Sequence, residues 1–228
     1  MSDIAVAITA HNRPHYLRQV IDSWQQVRGI DDVPLHFQIE PVNTDVIEAC
    51  VTSGFRQLSC NTNGVLLGAL SNPHQAIQKG FEMEVDFVVL GEDDSIVTQD
   101  ALEYFSWAAD EFKDDSSIIA VCSFQHKPNG AANESCFRNY FASVVWGTWR
   151  DRWEGWMSST WGHTYQHYEW DFRLCRMCDN GEHKCIFPCI SRSQHIGKYD
   201  GTHHKPDKYD SLKAQAVHDG NRVEWRRP

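Results

Sequence analysis

The stretch that decides the fold is Asp86-Phe-Val-Val-Leu-Gly-Glu-Asp-Asp-Ser95, an apolar run that stops in three consecutive carboxylates. A continuous apolar run of this length, bounded by polar residues, reads as a strand buried on both faces. The segments around it alternate in period. Ile4-Ala-Val-Ala-Ile-Thr9 is a second β-rich run, and after it Pro14 opens a stretch with Tyr16, Leu17, Val20, Ile21 and Trp24 at helical spacing. Strands are expected at 35–42 and 55–60, and helices at 43–54, 71–83 and 98–112. A strand at 116–125 completes the series. Strands alternating with helices predict an α/β fold, a mostly parallel sheet with helices on both faces.

At 228 residues, with 41% hydrophobic and 23% charged content, the chain is expected to form a single domain, 1–228. Residues 1–128 carry the alternating pattern, and 129–228 form a loop-rich part with most of the tryptophans. Trp146, Trp149 and Trp153, spaced three and four apart, are expected on the buried stripe of a helix. Trp156 and Trp161 are the candidates for an acceptor lip. The tail from Lys205 is polar and is expected to be partly mobile. No secretory signal and no apolar stretch of membrane-spanning length occur, so a cytoplasmic protein without membrane insertion is expected. The net charge of −10 disfavours a broad phosphate-binding face.

In an open α/β sheet, ligands bind beyond the carboxyl ends of the strands, which is where Glu92, Asp93 and Asp94 are delivered. Three adjacent carboxylates repel one another, and a divalent cation relieves this. Hard oxygen donors select Mg2+ or Mn2+, and a substrate diphosphate can fill the remaining coordination positions. The alternative is a solvated acidic cap on the next helix. Cys175, Cys178, Cys185 and Cys189 can be buried thiols, ligands of a structural Zn2+, or disulfide-bonded.

Three pieces in order, VAITAHNRPHYLRQVIDSW, VVLGEDDSIVTQDALEYF and WDFRLCRMCDNGEHKCIFPCISRSQHIGKYDGTHH, resemble the GT-A nucleotide-sugar glycosyltransferases. The match is in particular to the catalytic domain of the N-acetylglucosaminyltransferase I family. The resemblance implies a GT-A, Rossmann-like fold and transfer of a hexosyl or N-acetylhexosaminyl group from a UDP-sugar with inversion. It places Ala10 and Arg13 on the nucleotide, with Glu40 and Asn72 in regions that contact uracil. Asp94 matches the acid that binds Mn2+, while Glu92 and Asp93 face the ribose and the metal shell. Asp171 matches the general base, with Glu169 as its substitute. GKYDGTHH matches a closing loop, from which His203 or His204 reaches the metal or the phosphates, and His195 is a further candidate.

No counterpart of the family's anchor, stem and C-terminal region is expected in the chain, so the acceptor is not expected to follow from the match. A glycan, a protein or a modified DNA base, in a bacterial or phage setting, are the acceptors considered. Two other readings are a nucleotidyltransferase, disfavoured by the absence of glycine in AHNRPHYLR, and a non-catalytic sugar- or nucleic-acid-binding module with a zinc clip.

Overall fold

The computed structural model describes residues 3–162, 170–199, 209–211 and 213–228. In its first half, β1 (Ile4–Ala10), β2 (Leu35–Ile39), β3 (Leu58–Thr62) and β4 (Phe87–Glu92) alternate with α1 (Pro14–Gln25), α2 (Thr44–Val51) and α3 (Gly68–Phe81). There follow β5 (Ser95–Val97), α4 (Ala101–Phe112), β6 (Ile118–Cys122), β7 (Ser135–Arg138) and β8 (Trp146–Trp149). A short helical run comprises α5 (Arg150–Arg152), a π-turn at Trp153–Met157 and α6 (Ser158–Thr160). The last elements are α7 (Trp170–Asp179), β9 (Lys184–Pro188) and β10 (Ser193–His195).

Eight strands form one sheet in the order β3-β2-β1-β4-β8-β6-β9-β7. The pairs β1–β2, β1–β4, β2–β3 and β6–β9 are parallel, whereas β8 runs antiparallel to both β4 and β6. This is the mixed, mostly parallel α/β architecture that the alternation predicts. Strands β5 and β10 pair antiparallel in a small second sheet.

Because successive side chains point to opposite faces, β1 and β4 each serve two cores. Ile4, Val6, Ile8, Phe87 and Val89 pack with Leu17 and Trp24 of α1 and with α4. Ala5, Ala7, Val88 and Leu90 pack with Ala76, Ile77 and Phe81 of α3 and with Trp153, Trp170 and Leu174. The acids at the end of β4 therefore leave the centre of the sheet, sealed by helices on both faces.

Three expectations need correction. Trp146 and Trp149 are buried, but on strand β8 and not on a helix; only Trp153 is helical. The period of three and four came from a strand running directly into a helical turn. Helix α3 begins at Gly68, three residues before the expected start, because Glu40 accepts hydrogen bonds from Leu67 N and Gly68 N. The C-terminal tail is not loosely held in residues 213–228: Trp225 stacks on Trp107 with centroids 5.4 Å apart, and the Arg192 guanidinium lies over the Trp225 ring. Among the described residues, no helix is long and apolar enough to cross a membrane.

Candidate active site

Strand β4 ends against β1 with Thr9 opposite Glu92, so the loop after β1 meets the loop after β4. His11 N donates to Asp93 Oδ2 at 3.0 Å. The Arg13 guanidinium bonds both carboxylates, Nη2 to Asp93 Oδ1 and Nη1 to Asp94 Oδ2. On the other side His195, the last residue of β10, places Nε2 3.2 Å from Asp94 Oδ2. Ile196 N donates to the Asp94 carbonyl at 2.7 Å, wrapping the chain over the acid. Gly197 follows, and a Cβ there would run into Asp94 Oδ2.

Asp93 and Asp94 are buried, and burial works to raise both carboxyls. For Asp94 the bond from His195 and the charge of Arg13 outweigh it, holding this carboxyl below the usual range. Asp93 stays raised despite Arg13, with Asp94 adding to the shift. Burial pushes Glu92 up to about 8, reinforced by Asp94 and Asp93 and opposed by Arg13. Asp171, at the start of α7, adds the smallest contribution to the same rise.

Asp171 lies in the first turn of α7, accepting from Phe172 N at 2.8 Å. Its neighbour Trp170 is buried in a stack, 4.6 Å from Trp161 and 5.5 Å from Trp146 between ring centroids. That stack fixes the helix start that carries Asp171. Trp161 is committed to the packing, donating Nε1–H to the Leu70 carbonyl at 2.7 Å. Trp156 lies over His183.

Glu40 follows β2 and Asn72 lies in α3; both are buried and are joined through Asn63. Asn63 Nδ2 donates to Glu40 Oε2 and to Asn72 Oδ1, each at 2.9 Å. No sequence signal singles out Asn63, since it sits in an ordinary polar loop after a weak strand. Ala10 is the buried last residue of β1. Glu169, His203 and His204 lie outside the described residues.

The donor chemistry at Asp94 and His195, one carboxylate oxygen and one imidazole nitrogen, suits Mn2+. Arg13 already places a positive charge against both aspartates. Among the described residues no group of three or more His, Cys, Asp or Glu side chains is arranged to hold a metal ion by itself. The proposed zinc set is corrected by the same observation. Cys178 and Cys185 touch, with sulfurs 3.7 Å apart, but Cys175 Sγ turns to the Phe141 carbonyl at 3.3 Å. Cys189 is on a different side, against Gly130. All eight cysteines are free thiols, and of the four candidate ligands Cys178 and Cys185 meet while Cys175 and Cys189 face other neighbours.

No protein-family model matches the chain. Among solved structures, GalNAc-T7 with UDP, GalNAc and Mn2+ is similar at a TM-score of 0.63 and 10% identity, covering 92% of this chain and 46% of that one. Staphylococcus aureus TarS, residues 1–349, matches at a TM-score of 0.58 and 11% identity, over 82% of this chain and 57% of that one. The mannosyltransferase PcManGT of Pyrobaculum calidifontis, in complex with GDP-Man and Mn2+, matches at 0.52 and 12% identity, over 68% and 48%. The chain spans about half the length of these structures. Together with the strand order, they show that the chain has a GT-A, Rossmann-like α/β fold.

Proposed function

We propose that the protein is a metal-dependent glycosyltransferase that moves a hexosyl or N-acetylhexosaminyl group from a UDP-sugar to an acceptor hydroxyl with inversion. The resemblance to the N-acetylglucosaminyltransferase I family is the source of the finer assignment. The observation that carries the reading is the arrangement at the tip of β4. Asp94 is buried there, addressed by Arg13 and by His195, and the charge of Asp171 adds to the raised pKa of the neighbouring Glu92. Mn2+ in two of the similar structures, beside GDP-Man in one and UDP in the other, supports a nucleotide-sugar donor.

Asp94 and His195 would hold Mn2+, with the donor diphosphate as the remaining ligand. The cation supplies Lewis-acid stabilisation of the leaving diphosphate. Arg13 is within reach of the same phosphates and lends a second fixed positive charge. Asp171 takes the proton from the acceptor hydroxyl as its oxygen bonds to the anomeric carbon, and the bond from that carbon to the UDP oxygen breaks on the opposite face. His11 N and Arg13 keep Asp93 from moving, so the cradle needs little rearrangement.

The test is thermal stability with UDP, GDP and their sugars, each with Mn2+ or EDTA. A rise with UDP and Mn2+ that disappears in Asp94→Ala is expected, because a ligand that binds only the folded state stabilises it. A folded protein that responds to no nucleotide would refute the donor site.

A further inference from the structure

The peptide group that joins His195 to Ile196 is held from two sides. Its N–H donates to the Asp94 carbonyl at 2.7 Å, and its C=O accepts from the Tyr209 hydroxyl at 2.8 Å. In a trans peptide these two groups lie in one plane and point in opposite directions, so a partner on each side fixes how that plane is turned. The backbone that carries the His195 side chain is therefore set by Asp94 on one side and by Tyr209 on the other. The two rings stand close as well, with centroids 6.2 Å apart.

Strand β10 ends at His195, and the chain then crosses Asp94 at Gly197. Lys198 N donates to the Ile196 carbonyl at 2.8 Å, closing a tight turn. At the far end Tyr199 N donates to the hydroxyl of Tyr16 at 3.0 Å. Tyr16 lies in the first turn of α1, and its own N–H bonds the Arg13 carbonyl. One helical turn thus sends Arg13 to the aspartates and Tyr16 to the segment that crosses them. The Lys198–Asp210 pair, 3.5 Å apart with the Asp210 side chain 63% exposed, is screened by water and is a weak substitute for the tyrosine bond. The Tyr209 hydroxyl is committed to the carbonyl of the very residue whose imidazole meets Asp94.

We infer that Tyr209 is a positioning residue of the metal site: by fixing the His195–Ile196 peptide it aims His195 Nε2 at the place where Asp94 would hold the cation, and it touches neither cation nor donor. The inference rests on the metal-dependent donor reading. A metal ligand has to be held within about 0.5 Å of its working geometry. A histidine at the frayed end of a two-stranded sheet would lose conformational freedom each time a cation bound, whereas a backbone already set by two partners avoids that loss.

Calorimetry of UDP binding with Mn2+ or with Mg2+, beside spin-echo resonance of the bound Mn2+, tests this on the full chain. Mg2+ keeps to oxygen ligands and serves as the control. Tyr209→Phe removes one hydroxyl and leaves the ring. It is expected to weaken UDP binding at least about tenfold with Mn2+ and to leave it within about twofold with Mg2+. The bound Mn2+ of the unaltered protein should show coupling to an imidazole nitrogen that His195→Ala abolishes and Tyr209→Phe weakens. Adding Tyr209→Phe to His195→Ala should cost nothing more, since the tyrosine acts through the histidine. Equal losses with both metals, losses that add in the double variant, or unchanged binding in Tyr209→Phe would each overturn the inference. Mn2+ bound with UDP but without the His195 nitrogen coupling would overturn it and leave the donor reading standing. No metal-dependent UDP binding by the unaltered protein would overturn both.

Discussion

His195 Nε2 lies 3.2 Å from Oδ2 of Asp94, although 101 residues separate them in the chain. The contact depends on β10 pairing with β5, which follows Asp94 directly, so that His195 stands opposite Ser95. The next turn crosses Asp94 at Gly197, where there is no space for a side chain. Gly197→Ala should displace the carboxylate and reduce Mn2+-dependent UDP binding by about tenfold or more, a cost of ~1.4 kcal/mol. The fold should be retained. Thermal shift with and without UDP and Mn2+ reads both effects, and unchanged binding would show that Asp94 does not need its present position.

Asp171 is assigned the proton transfer and no part in donor binding. Asp171→Asn should lower transfer by about 10²-fold or more, the usual contribution of a general base, while UDP affinity remains within about twofold. A rate loss accompanied by an equal loss of UDP affinity would place Asp171 in the donor site.

Glu92 is pushed up to about 8 by burial first and by Asp94 and Asp93 next. A carboxyl raised in the folded state contributes stability that is full below its unfolded value of about 4.5 and is lost as pH rises through about 8. In EDTA, Glu92→Gln should therefore raise Tm by about 3 °C or more at pH 8.5 and change it little at pH 5. An equal shift at both pH values would show that ionisation of Glu92 is not the cause.

His36 lies below the Glu40 network, with Nε2 3.0 Å from Gln38 Oε1 and Nδ1 2.7 Å from Ser59 Oγ. Since Gln38 donates its amide to Asn63, its oxygen must accept from His36, which makes the ring a neutral Nε2–H tautomer. Burial lowers its pKa below 6.5, so as pH falls the unfolded chain takes up the proton first. This contribution to stability is complete above about pH 6.5 and declines below it. Nitrogen chemical shifts of the ring across pH 5–8 test both points; a protonated Nδ1 at neutral pH would reverse the relay.

Asp100 and Arg192 form an ion pair with no exposed side-chain surface, at 2.9 Å, and His218 Nδ1 stands 3.2 Å from the same carboxylate. Removing one member of a buried pair leaves the other charge without compensation. Asp100→Ala should cost about 3–5 kcal/mol of unfolding free energy, measured by denaturant titration. It should also loosen the tail, since Arg192 carries the Trp225 ring. A loss under about 1 kcal/mol would mean that water replaces the carboxylate.

Much of the fold was legible because the deciding signals are local. Strands β1 and β4 are continuous apolar runs, which only a sheet covered on both faces can hide, and Pro14 with the Leu17, Val20, Ile21 and Trp24 spacing dictates α1. The acids at the end of β4 could be placed at a crevice for the same reason. What the tertiary structure decided are the features made by residues far apart in the chain. Trp146 and Trp149 became a strand because β4 and β6 offered two open edges, a pairing that overrode their helical spacing. Helix α3 starts early because its first N–H groups are capped by Glu40, 28 residues upstream of Gly68. The cysteines close in sequence do not converge as a set of four: Cys178 and Cys185 meet, while Cys175 and Cys189 face elsewhere, since a helix and a strand project neighbouring side chains in different directions. Asn63 carried no local mark at all, because its importance lies in three partners that only folding brings to it.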